Sequence, residues 1–120
     1  MARLIESPTV IDCVGTKPKQ IREYFGRVNS SDADVSIAHM SSPEGWEEPG
    51  QTPEFREFTL VLEGTLLIQT KRGTLEVTAG QGVVTEPGEW VRYSTPRAGG
   101  ANYVAVCLPA FSPETVHRDE

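Results

Sequence analysis

The sequence predicts an all-β domain, and three observations carry that expectation. Gly and Pro together make 20 of the 120 residues. The excess over an average near 12% is what many short strands joined by turns require. β-Branched and aromatic residues alternate with polar ones in short runs, most clearly from Glu57 onward, the period of a strand with one buried face. No segment gives a secure helix.

The elements follow in order. Residues 9–14 (T-V-I-D-C-V) form a β-branched run ended by Gly15, and Lys17-Pro18-Lys19 breaks the chain. Residues 20–28 place Ile21, Tyr24 and Phe25 at helical spacing, but Gly26 falls inside. The turn chemistry at 29–32 (N-S-S-D) and the alternation at 33–40 favour a hairpin of two strands. The stretch 41–53 holds three prolines and two glycines, which excludes a central strand or a helix. Strands are then expected at 57–63, 65–70, 74–78, 83–85, 89–95 and 101–108. Gly64, Lys71-Arg72-Gly73, 79–82, Glu86-Pro87-Gly88 and 96–100 are the expected turns. In 74–78, Leu75 and Val77 share one face. About eight or nine short strands hide their edges by closing as a barrel or a two-sheet jelly roll. Alternation alone does not choose between these.

The chain length is that of one domain with one barrel-sized core. The formal charge of −6 argues against nonspecific attraction to nucleic acid or anionic membranes. No apolar run of membrane-spanning length occurs, and charge interrupts the N-terminus too early for a signal sequence; a cytoplasmic protein is expected. Cys13 and Cys107 are the only cysteines. They read as small apolar residues in a reducing compartment, and there is no C-x-x-C zinc or redox motif.

The middle of the chain resembles the cupin family. The first cupin motif runs G-x5-H-x-H-x3-4-E-x6-G, and Glu57 followed by Val61-Leu62-Glu63-Gly64 reproduces its second half. The second runs G-x5-P-x-G-x2-H. Here residues 80–93 match its length and its Pro87-Gly88 turn, with the proline one place late. The short insert 65–79 and the closing C-L-P-A-F-S-P at 107–113 are similar to those of small bacterial cupins. The resemblance covers 35–113. It implies a cupin-type double-stranded β-helix, or jelly-roll barrel, as one domain over 1–120. N-terminal strands would occupy 1–34, the barrel core 35–113 and a tail 114–120.

In cupins, two histidines and the glutamate of the first motif, with the histidine of the second, bind a divalent metal inside the barrel. Carried over residue by residue, the H-x-H positions become Gln51 and Pro53, or Gly50 and Thr52 with the longer spacing. The last histidine becomes Val91, and only Glu57 survives. Imidazole nitrogens supply most of a transition-metal site's affinity, so no firmly bound metal and no other cofactor is expected.

The resemblance turns Glu57 into the barrel, as a general acid/base or as a ligand anchor; the competing reading pairs it with Arg92 or Arg56, or leaves it in solvent. Gln51 replaces a metal ligand and is a candidate contact for a polar ligand, with Glu54 beside it in the same loop. His39 shares a strand face with Val35 and Ile37 and is the one imidazole placed to join Glu57 if that face looks inward. Tyr93 shares a face with Val91 and is expected to offer its hydroxyl beside Glu57. Trp90 and Phe58 fall on the opposite faces and suit a homodimer interface. Trp46 suits a pocket rim or a strap over the core. His117 lies in a tail similar to the one that closes the barrel of ectoine synthase, a cupin.

Three functions remain open at this point. One is a dimeric cupin holding a small polar molecule without a metal. Another is an isomerase, epimerase or lyase using Glu57, with Tyr93 or His39 assisting. The last is an unorthodox metal enzyme recruiting Gln51, Glu57, His39 or His117. One barrel hosts all three.

Overall fold

A computed structural model describes residues 1–120. It contains nine strands and no helix: β1 (Thr9–Ile11), β2 (Gln20–Phe25), β3 (Ser36–Ser42), β4 (Trp46–Glu47), β5 (Arg56–Thr70), β6 (Gly73–Thr78), β7 (Gly82–Thr85), β8 (Val91–Thr95) and β9 (Ala101–Leu108). Every pairing is antiparallel. The order β1-β2-β3-β9-β5-β8-β4 curls on itself, with β6 and β7 both added to β5. No helix is long and apolar enough to cross a membrane.

The ambiguous segment at residues 20–28 is a strand. Gly26, at φ 151°, follows its end, and β2 pairs with β3 as a hairpin. The Pro-rich stretch after β3 contains only the two-residue β4, which pairs with β8 on one side.

Gly64 is not a hairpin turn. It lies inside one 15-residue strand. The first half of β5 pairs with β7 and β9, and the second half with β6 and β8. The strand crosses between the two sheets next to a register shift at Val61/Glu63, where Gly64 adopts φ 79°. A bulge bends a strand in this way without ending it. A short glycine-punctuated run therefore read as two strands where the chain makes one.

The core divides in two. Trp46, Val61, Leu66, Ile68, Val77, Val91, Tyr93, Ala101 and Tyr103 form the larger cluster. Phe55, Cys107 and Val116 form a smaller one, with Phe111 packed against it. Alternation explains the membership: Ala101, Tyr103, Ala105 and Cys107 all point inward from β9, and the residues between them are half-exposed. Leu66 and Ile68 have no exposed surface. Ile68→Ala should cost about 2–5 kcal/mol, read as a lower denaturant midpoint with an unchanged slope.

Candidate functional site

A cavity of about 280 Å³ opens within the barrel between the two core clusters. Its wall is largely apolar, built from Ile21, Met40, Phe55, Phe111 and others, with Glu48, Glu57, Lys19, Arg118, Gln51, Tyr93 and Tyr103 also lining it. This is the composition of a small-molecule pocket: a mostly hydrophobic surface with a few convergent polar groups.

Alternation along β5 directs Glu57, Thr59 and Val61 inward. Glu57 sits opposite Thr85 on one side and Cys107 on the other. Neither candidate arginine neutralises it, because Arg56 pairs with Glu86 at 2.9 Å and Arg92 with Glu47 at 3.0 Å. Burial and then the negative field of Glu48 raise its pKa to about 7, against smaller opposing effects of Lys19 and the Cys107 thiol. A carboxyl so placed exchanges protons near neutrality.

Tyr93 lies on the next inward row, its hydroxyl 3.3 Å from Thr85 Oγ1. Burial and the nearby Glu57 push its phenol well above the ordinary range, so it is a neutral proton donor. Tyr103 bonds Ser42 Oγ at 2.8 Å and faces the same space.

Lys19 reaches in from the segment between β1 and β2. That segment is fixed locally: Cys13 Sγ donates to the Lys19 carbonyl at 3.2 Å and accepts from the Lys19 amide at 3.4 Å. Its Nζ lies 4.2 Å from the Trp46 ring centroid and 5.3 Å from that of Tyr103, within cation–π range. Burial acts downward on the ammonium, but Tyr103, Glu48 and Glu57 outweigh it and the net shift is upward. Lys19 is therefore a permanent cation, not an amine nucleophile. Glu48 is shifted upward by burial, with Lys19 and Arg118 acting against it.

Gln51 is buried and aligned with Val91 through two backbone hydrogen bonds of 2.9 Å. Its side-chain oxygen is buried and has no partner. Glu23 also lines the cavity, but its carboxylate is held by the Val28 and Asn29 amides at 3.1 and 2.9 Å, a turn-forming role.

The structure thus brings Glu57, Tyr93 and Gln51 together around one space. His39 does not belong there. It points to the opposite face of β3 from the inward Ala38, and its Nδ1 lies 3.2 Å from Arg22 Nη2. The expectation failed on parity: the inward positions of β3 are Ser36, Ala38 and Met40, one residue out of phase with His39. His117 pairs with the exposed Glu54 outside the cavity. Trp90 is half-buried and donates from Nε1 to Asp119 at 2.9 Å; Phe58 stays 37% exposed.

Sequence reasoning missed Lys19, Glu48, Tyr103 and Arg118. Tyr103 was readable from the alternation of β9. The other three lie in irregular segments, where no period says which way a side chain points.

The cavity lining is a poor donor set for a transition metal. No three His, Cys, Asp or Glu residues converge anywhere in the chain. Val91 stands where the resemblance would put an imidazole, and a buried amide with two acids lacks the nitrogen donors such ions prefer.

The fold has many counterparts. The polyketide cyclase RemF from Streptomyces resistomycificus superposes with a TM-score of 0.76, over 100% of this chain and 86% of that one, at 20% identity. Streptomyces PAC13, in a structure with uridine, gives 0.76 over 98% and 88% at 13% identity. An RmlC-like cupin from Shewanella frigidimarina gives 0.71 over 90% and 89% at 16% identity. This chain has the cupin-type jelly-roll fold. Over 101 residues, 84% of the chain, it is also 38% identical to endoribonuclease YbeY of Myxococcus xanthus. The match spans 34% of that protein, so the chain covers about a third of the relative's length. No protein-family profile matches the sequence.

Proposed function

We propose that the barrel cavity binds a small molecule without a metal and that Glu57 moves a proton on it, as in an isomerase, epimerase or lyase. The observation that carries this reading is the Glu57 carboxyl. It faces a ligand-sized space, no arginine holds it, and it sits at the pH where a general acid/base works best. As carboxylate it takes a proton from carbon beside a carbonyl group. The electron pair moves onto the carbonyl oxygen, where the neutral Tyr93 hydroxyl donates a hydrogen bond. Returning the proton to another position completes an isomerisation; expelling a leaving group completes an elimination.

A thermal-shift screen over sugars, sugar acids and amino-acid derivatives finds ligands, since a molecule bound only by the native state raises its midpoint. Each hit is then incubated in D2O. Deuterium entering the ligand, and slowing by about 10²–10⁴ in Glu57→Gln, is the expected result. A shift without exchange leaves a binding protein and removes the catalytic reading. Tyr93→Phe should slow exchange by about tenfold or more while leaving the ligand-induced shift in place.

RNA cleavage, the activity in the Myxococcus relative's name, is not part of this reading. A net charge of −6 and a small, mostly apolar cavity offer no basic track for a phosphodiester backbone.

The outer face of the β7-β5-β9 sheet supports a homodimer. Phe58, Leu60, Leu62, Val84 and Leu108 are 37–49% exposed there, and Phe58 lies beside both Val84 and Val106 in register. A continuous apolar sheet face of this kind suits a second copy of itself, packed about a two-fold axis. Sedimentation should give twice the 13.2 kDa chain mass, and Leu60→Lys should return it to one.

A further inference from the structure

We propose that Lys19 and Arg118 form an anion clamp across the cavity, so that its ligand is a small monocarboxylate with an apolar body. This deepens the proposed function and rests on its assignment of the cavity as the binding site.

The clamp is assembled from the two ends of the chain. Lys19 enters before β2, and Arg118 enters from the segment after β9, which is laid along the loop preceding β5. Backbone bonds hold that segment: Glu54 to Thr115 at 2.9 Å, Thr52 to His117 at 3.1 Å and Asp119 to Gly50 at 2.8 Å. His117 and Asp119 are tied on the outside, to Glu54 and to Trp90. Arg118, between them, bridges Gln51 and lines the cavity.

Neither cation has a carboxylate within ion-pairing distance, and Glu48 attracts both only from farther off. The ion pairs of the chain involve Arg3, Arg56, Arg92, Arg97 and His117, and neither Lys19 nor Arg118. Arg118 Nε is buried and unbonded, as is the side-chain oxygen of Gln51, the residue with which Arg118 forms a backbone bridge. A buried donor and a buried acceptor left open on residues lining one cavity are costly unless a bound group meets them. A carboxylate supplies the acceptor for the guanidinium, whose planar fork it matches. A hydroxyl or N–H on the same molecule supplies the donor for Gln51. Glu48 and Glu57 line the same space and oppose a second negative charge, which disfavours phosphate monoesters and dicarboxylates. The aromatic and aliphatic wall, with Phe111 stacked 5.9 Å from the Arg118 guanidinium, takes the apolar body.

The probes are benzoate, phenylacetate and 4-hydroxyphenylacetate, each with its neutral amide, titrated calorimetrically into the full chain at pH 6.5. The acids should bind, and the amides should bind at least tenfold more weakly. Arg118→Gln and Lys19→Met should each weaken the acids at least tenfold, and Arg118→Lys should restore part of the loss. If a variant does not fold, the acid–amide comparison on the wild type decides. Amides binding as well as acids, no acid binding at millimolar concentration, or an unchanged dissociation constant in Arg118→Gln would overturn the clamp. The carboxyl carbon resonance of Glu57 separates this failure from that of the site itself. Amides that move it while acids bind no better leave the cavity reading standing and remove the clamp. Probes that bind without moving it place the binding site elsewhere and remove both.

Discussion

Glu57→Gln should make the protein more stable above neutral pH while removing its proton transfer. An ordinary glutamate titrates near 4.5, and this one at about 7, so the folded state holds the proton more tightly than the unfolded chain does. The native protein therefore loses stability as pH rises from about 4.5 to about 7, and the loss is complete above that window. At about 1.4 kcal/mol per pH unit, the ionised carboxylate costs roughly 2–3 kcal/mol at pH 8, after allowance for its partial contact with solvent. Glutamine keeps the shape and removes the charge. The variant should melt about 10 °C higher at pH 8 and within a degree or two of wild type at pH 4, where the carboxyl is protonated in both states. Equal melting points at pH 8 would mean that Glu57 is comfortably solvated as an anion, and the acid/base role would go with them. A gain in stability at the cost of activity is the usual signature of a charged group retained for function.

The parts of this architecture that repeat with a strand period were legible in the sequence. The alternation of 101–108 gives β9 at its observed limits, whereas the inward side of Glu57 comes from the family resemblance, and that of Tyr93 from its sharing a strand face with Val91, the position of the family's last histidine. Parity also failed where its origin was wrong. On β3, His39 was a candidate only if the face it shares with Val35 and Ile37 looks inward, yet that side is half-exposed and the cavity is lined by Ser36, Ala38 and Met40. Both faces of β3 carry apolar residues, Ile37 on one and Ala38 and Met40 on the other, so alternation alone does not tell which face looks inward. Lys19, Glu48 and Arg118 were illegible for another reason. Each sits in a segment whose path is set by long-range backbone bonds, such as Thr16 to Glu47 and Asp119 to Gly50, and nothing local encodes those.

Gly64→Ala should be among the most destabilising single substitutions in the chain, and Gly88→Ala is its control. The two glycines have nearly the same backbone, φ 79° and 82°, a region that costs a residue with a Cβ about 1–2 kcal/mol. They differ in surroundings. A Cβ at Gly88 meets nothing within 4 Å, whereas at Gly64 it would overlap the Gly100 carbonyl oxygen and stand 3.0 Å from Ala101 Cα. Those atoms are backbone of β9 and the turn before it, so no side chain can swing aside. Gly100 is wedged in turn: at φ 64°, a Cβ there would overlap the Ser42 carbonyl at the end of β3. Three strands therefore meet at glycine contacts where β5 leaves one sheet for the other. Gly88→Ala should cost about 1–2 kcal/mol. Gly64→Ala should cost about 4 kcal/mol or more, a large share of the stability of a domain this size. Denaturant midpoints of the two variants check this directly. If they agree, β5 is free to move away from the turn before β9, and the bend that sets the Glu57 half of the strand against the Ile68 half is not held by close backbone contact.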